Sequence, residues 1–124
     1  LQFYDTMNNN SVVVKLTYGD TSFLMMGDAE KEEEQDLLNS GANLQADVIK
    51  IGHHGSKTST TQEFLNAVQP NMAVISVGPD KNELPKSEVL QRLEASNVKT
   101  YRTDSSGTVI FMSDGADITV ATEQ

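Results

Sequence analysis

Cysteine is absent from this chain of 124 residues. That excludes disulfides, thiolate metal sites and a cysteine nucleophile, and leaves the redox compartment open. Long apolar runs are absent too. The longest, Phe23-Leu24-Met25-Met26 among them, have four residues, against the ~18–20 that a membrane-spanning helix needs, so no membrane insertion by this segment is expected. Positive charge is scarce: Lys plus Arg total 9 against 18 Asp plus Glu, a net charge of −9. This argues against a sequence-independent nucleic-acid binder, which needs a basic footprint. Action on a phosphodiester would require metal cations to supply the positive charge. There is no Gly-rich phosphate loop of the Walker or dinucleotide type, no internal repeat and no linker. No signal peptide is visible, and a chain beginning at Leu1 reads as a fragment or processed product of something longer.

What is present is the composition of one ordinary globular domain over residues 1–124, with 37% apolar and 22% charged residues. Strands and helices alternate. Ser11 to Thr17 is rich in β-branched residues and predicts a strand, Tyr18-Gly19-Asp20 a turn, and Phe23 to Met26 the returning strand of a hairpin. A helix is expected from Asp28 through about Ser40, with Asp28 as its cap and Gly41 as its stop. Asp47 to Ile51 predicts a short strand, followed by a polar loop, His53 to Ser59. Thr60 with Glu63 has the spacing of a capping box for the next helix, which Pro70 closes. Met72 to Val77 predicts a strand covered on both faces, Ser87 to about Ser96 a helix, and Val98–Tyr101, Thr108–Met112 and Ile118–Ala121 three closing strands. Repeated β-α-β units imply an α/β fold. The methionines Met25, Met26, Met72 and Met112 are read as core, and the acidic run Glu30 to Asp36 as a solvated helix face.

Three segments carry polar residues next to predicted strands, where α/β sheets build their sites. Asp28 follows an apolar strand behind a glycine. Its carboxylate suits a divalent cation, the alternative being an ordinary helix cap. The only two histidines, His53 and His54, stand together at a strand end between Gly52 and Gly55. Imidazole serves as metal donor or general base, and adjacent residues on a turn point different ways, so one is expected to ligate and the other to support it or meet substrate. Asn8, with Asn9, Asn10 and Ser11, offers amide and hydroxyl groups to a substrate, or forms a polar turn. Asp28 and His54 lie 26 residues apart, each closing a strand. If those strands are neighbours, both side chains emerge at one edge. Two ligands are too few for a two-metal centre.

The stretches NNNSVVVKLTYG, FLMMGDAE, ADVIKIGHHGSKTST, AVISVG, SEVLQRL and YRTDSSGTVIF occur in that order, over about residues 5 to 121. This series resembles the C-terminal half of the metallo-β-lactamase-like domain of ComEC-type DNA-internalisation competence proteins. The resemblance implies half of an αββα sandwich with a two-metal site at the sheet edge, holding two divalent ions, Zn²⁺ or Mn²⁺, in the intact domain. It implies a metal-dependent hydrolase, phosphodiesterase- or nuclease-like, with single-stranded DNA or another phosphodiester as substrate. It maps the metal-bridging carboxylate onto Asp28, the second-metal histidine onto His54, and a supporting or substrate-facing histidine onto His53. Asn8 and Ser11 fall on substrate-binding positions. Beside the histidine loop, Ser56, Lys57 and Thr58 are placed to orient an anionic substrate.

The family's HxHxDH motif, which supplies most first-metal ligands, is absent from these residues. Many relatives carry a Gly-His-Pro-His loop where this chain reads Glu83-Leu84-Pro85-Lys86-Ser87, so Leu84 and Lys86 stand for two histidines and Lys86 becomes a candidate phosphate contact. The fragment alone is therefore expected to be inactive, and to need the missing N-terminal half of the domain or to dimerise through an uncovered apolar sheet face. The expected location is the bacterial cell surface or exterior, a membrane-anchored parent included, with the cytoplasm also open. Competing readings are a non-catalytic binding module that kept the fold, and a hydrolase of cell-wall phosphodiesters or small esters.

Overall fold

A computed structural model describes residues 12–78 and 84–123. The chain enters on β1 (Val14–Tyr18), turns through Gly19-Asp20 into β2 (Thr21–Met25), and continues into α1 (Lys31–Asn39) and β3 (Val48–Lys50). A single 3-10 turn at Gly52–Gly55 follows. Then come α2 (Gln62–Val68), β4 (Met72–Ile75), α3 (Ser87–Ala95), β5 (Lys99–Arg102), the four-residue helix α4 (Thr103–Ser106), β6 (Val109–Ser113) and β7 (Ile118–Thr122). Five strands form one sheet in the order β1-β2-β3-β4-β5, and β6 and β7 form a second sheet of two. β1 runs antiparallel to β2, while β2, β3, β4 and β5 are mutually parallel. The crossovers that parallel pairing demands are α1, α2 and α3. This is the α/β architecture that the strand and helix alternation implies.

The three crossover helices share one face of the large sheet. Leu24, Ile49, Ala73 and Ile75 project from the strands into a core completed by Phe64, Leu65 and Val68 of α2 and Val89 and Leu93 of α3. Each large side chain buried this way contributes roughly 1.5–3 kcal/mol. Phe23, Met25, Val48, Met72, Val74 and Tyr101 alternate onto the opposite face by the strand period of two. There the β6–β7 hairpin lies across the sheet. The Phe111 ring meets Phe23 edge-on at 6.5 Å and Tyr101 at 5.9 Å, bridging β2 and β5. Val48, beneath this contact, is buried although it belongs to the other face from the helix-side core. The two hairpin turns are pinned together: Asp20 N–H donates to Gly115 O at 2.6 Å and the Thr21 and Ser113 hydroxyls bond at 2.6 Å. Gly19 faces the Gly115 backbone so closely that no Cβ fits between them.

Several sequence expectations change. Only the first of the three closing strands joins the large sheet. Met25 and Met112 are exposed rather than core, because each points away from the layer its strand covers, whereas Met26 is buried. Asp28 is not the cap of α1: the helix starts three residues later, behind Glu30. The cap of α2 is Thr61, whose hydroxyl accepts from Phe64 N–H, and not Thr60. The acidic run is not uniformly solvated, since Glu34 is 1% exposed. Its carboxylate accepts from the N–H groups of Thr60 and Thr61 and from the Thr61 hydroxyl. The uncovered apolar face is smaller than half a sandwich would leave, because β6–β7 occupies part of it. Val14, Leu16 and Tyr18 of β1, with Met25 of β2, stay exposed.

Replacing Phe111 with alanine is expected to lower stability by about 2–3 kcal/mol and to raise hydrogen exchange at Val48. Urea denaturation with amide exchange checks both.

Candidate functional site

Because β2, β3, β4 and β5 are parallel, their C-terminal ends share one rim of the sheet. Met26-Gly27-Asp28 leaves β2 there, Gly52-His53-His54 leaves β3, Ser76-Val77-Gly78 leaves β4, and Thr103 follows β5. The β2 and β3 loops are sewn together. His53 N–H donates to Gly27 O at 3.0 Å, Lys31 N–H to Thr58 O at 2.8 Å, and the buried Ser59 hydroxyl to Ala29 O at 2.6 Å. Gly52 lies against Ala29, where a Cβ would come within 2.8 Å of the carbonyl oxygen.

The sequence places two histidines in succession, and the backbone gives each a left-handed conformation, with φ of 50° and 52°. Such residues are uncommon outside glycine, though histidine is among the more tolerant types. The consequence is that the two rings part. His54 Nδ1 lies 2.6 Å from Ser76 O. A carbonyl oxygen only accepts, so Nδ1 carries a proton, and in the neutral ring Nε2 presents its lone pair. That lone pair faces Asp28 Oδ1 at 3.8 Å, with both side chains about half exposed. In that neutral form the two facing atoms are both electron-rich and can share a cation, while a proton on Nε2 would instead make them an ion pair. Donors on one metal ion at ~2.0–2.2 Å lie roughly 3–4 Å apart, and this pair fits as two donors of a nitrogen-oxygen set. The second-sphere bond from Nδ1 to a backbone carbonyl is the arrangement that orients ligating histidines. His53 turns inward instead, its Nδ1 3.9 Å from Glu30 Oε1.

Of the other candidates, Ser56 bonds Thr58 within the loop at 3.0 Å and so shapes the loop. Lys57 is exposed on it. Lys86 donates its backbone N–H to Gly55 O at 2.9 Å, which ties the start of α3 to the histidine loop. Asn8 and Ser11 lie outside the described residues. Among the described residues no group of three or more His, Asp or Glu is gathered for a metal ion.

Three contributors escape sequence reasoning. Glu30 is hidden in an acidic run. Ser76 acts through its backbone. Thr103 donates its hydroxyl to Val77 O at 2.7 Å and accepts from Val77 N–H at 2.8 Å, which fixes the strand end that holds His54. His54, Ser76, Val77, Gly78 and Thr103 line an open cavity of about 350 Å³ beside the pair. A larger one of about 590 Å³, lined by Gln62, Asn66, Gln69, Asn71 and Asn97 among others, is at the opposite end of the strands and holds no ionisable group.

Glu34 closes the far end of the histidine loop. Burial pushes its carboxyl above the ordinary carboxylate range, opposed by the hydrogen bonds from Thr61 and Thr60 and by the nearby Arg92 charge. Asp104 behaves oppositely, held below that range by its bond from the Arg102 guanidinium.

A family model described as the metallo-β-lactamase superfamily matches residues 1–78. The chain is 44% identical over 105 residues to ComE operon protein 3 of Bacillus subtilis, covering 84% of this chain and 14% of that protein. It is 39% identical over 106 residues to Competence protein ComA of Neisseria gonorrhoeae, covering 84% and 15%. It is 37% identical over 103 residues to Recombination protein 2 of Haemophilus influenzae, covering 82% and 13%. These residues thus span about a seventh of the length of such relatives.

Two outcomes follow from this geometry. Gly55 has a φ of 84° and its Cβ position is 2.5 Å from that of Pro85. Gly55→Ala is expected to cost more than about 1 kcal/mol, read from chemical denaturation. Glu34, with its folded pKa above the unfolded one, adds stability that is complete below the unfolded carboxylate value near 4.5 and is lost as pH rises through the folded value. The stability difference between wild type and Glu34→Gln should therefore shrink as pH climbs from 4. A difference that grew over that range would contradict the assignment.

Proposed function

The chain belongs to the metallo-β-lactamase superfamily, in its competence-protein branch, and from that premise we propose that it carries part of a metal-dependent phosphodiesterase site. The observation that supports this most directly is the His54 ring, with Nδ1 committed to Ser76 O and Nε2 aimed at Asp28 Oδ1. In this reading Asp28 and His54 would hold divalent cations, Zn²⁺ or Mn²⁺, as part of a larger ligand set. Such ions, when bound, offset the charge of an anionic substrate and acidify water at neutral pH. This answers the shortage of basic residues. Lys57 and Lys86 supply the local positive charge for a phosphate, and Ser56 keeps the loop that carries Lys57 in shape. His53, held toward Glu30, braces the loop from beneath. Asn8 and Ser11 remain substrate-binding candidates.

The remaining ligands belong to an N-terminal half of the domain, whose elements would also cover Val14, Leu16, Tyr18 and Met25. The names of the competence relatives favour single-stranded DNA as the substrate and the bacterial cell envelope as the location. No helix among the described residues is long and apolar enough to cross a membrane, so anchoring would fall to other parts of such a protein.

The test uses the full-length protein loaded with Zn²⁺ or Mn²⁺, single-stranded DNA and chromogenic phosphodiesters. Asp28→Asn and His54→Ala are each expected to reduce bound metal and to slow turnover by more than about 100-fold, the scale of losing one Lewis-acid contact. Wild-type turnover and metal content in either variant would overturn the assignment. A wild-type protein that binds no ion would indicate a non-catalytic module. Cleavage of cell-wall phosphodiesters or small esters, but not DNA, would retain the site and change the substrate.

A further inference from the structure

We propose that Glu34 is a positioning residue for the Asp28–His54 pair, fixing the end of the histidine loop to the helix that follows Asp28; this rests on the reading of that pair as metal ligands. The loop runs from Gly52 to Thr61. Its first part is bonded to Gly27 and its middle to Ala29 and Lys31. Its last two residues are bonded by Glu34 of α1: the carboxylate takes the N–H of Thr60, the N–H of Thr61 at 2.9 Å and the Thr61 hydroxyl at 3.0 Å. Arg92, from α3, donates to Thr60 O at 2.9 Å and so grips the same peptide from the other side.

Capping α2 does not require this carboxylate, because the Thr61 hydroxyl already accepts from Phe64 N–H at 3.3 Å. What the carboxylate adds is control of Thr60. That residue is buried with a φ of 60°, a left-handed conformation that a β-branched side chain disfavours. Left to its own preference, Thr60 would return to the extended or right-handed region and redirect Ser59 and the chain behind it. Glu34 and Asp28 sit on one short segment, with α1 beginning between them. Holding Thr60 to Glu34 therefore holds His54 in register with Asp28, by way of Ser59, Thr58 and the loop bonds to Ala29 and Lys31. A buried carboxylate kept six residues beyond the candidate ligand, bonded only to the loop of the other, is placed to set their separation.

Glu34→Gln keeps the length and one acceptor oxygen but sets an amide NH₂ against a backbone N–H. In the full-length protein it is expected to keep wild-type far-UV circular dichroism, to bind Zn²⁺ about 10-fold more weakly, as losses behind a metal ligand typically do, and to alter the visible spectrum of bound Co²⁺. The double variant Glu34→Gln/Thr60→Gly is expected to regain much of that affinity, because glycine adopts the left-handed conformation without being held there. A purely stabilising role would give no such recovery, since the glycine only loosens the chain. Wild-type affinity and spectrum in Glu34→Gln overturn the inference, as does a double variant no better than the single one. If Glu34→Gln does not fold, the partly exposed Arg92→Gln takes its place, with an expected loss of about 3-fold; unchanged affinity there overturns it too. Failure of wild type to bind Zn²⁺ would instead remove the reading of Asp28 and His54.

Discussion

The parallel pairing of β2 with β3 is the constraint on which the rest depends. Phe23, Leu24 and Met25 stand opposite Val48, Ile49 and Lys50. Core packing fixes this register: Leu24 and Ile49 must both face the helices, and a slip of one residue would turn Ile49 out of the core. A slip of two would preserve the faces but move the ends of the strands apart by about 6.6 Å. The strand register that first brings Asp28 and His54 to one rim is thus decided by apolar side chains that are neither of them. The two loops then finish what the strands begin, through short bonds from backbone, serine and the Glu34 carboxylate.

Much of this was legible in the residues. The apolar runs ending in Gly27-Asp28 and Gly52-His53-His54 marked strand ends, and an α/β alternation makes such ends meet at one rim. The pairing of β6 with β7 away from the large sheet was not legible, because Val109 to Ser113 and Lys99 to Arg102 have the same alternating character. What separates them is where Phe111 finds Phe23 and Tyr101, a contact across the sheet. The same holds for Glu34. Nothing in KEEEQD distinguishes it from Glu32 or Glu33. Only the fold brings Thr60, Thr61 and Arg92 to one member of the run. Met25 and Met112 show the complementary failure: apolar type identifies a strand but does not say which face is covered.

The site also shows why charge is distributed as it is. Burial raises the cost of ionising the Glu34 carboxyl, offset in part by the N–H groups of Thr61 and Thr60, yet it lies six residues beyond a rim where the carboxylate of Asp28 is half exposed. The first is surrounded by groups that can only donate to it. The second is open toward solvent and toward the His54 imidazole. Two carboxylates of one short acidic stretch thus face different surroundings, one holding backbone and the other open at the rim, and the division follows from depth.

The left-handed turn at His53 and His54 has a consequence for how the site tolerates change. Consecutive identical side chains look like insurance, the second standing ready should the first be lost. The backbone here denies that: one ring is turned toward Glu30 and the other toward Ser76 and Asp28. Neither can travel to the other's post without unwinding the turn. The dipeptide is two separate appointments that happen to be neighbours in the chain, and the site has no spare.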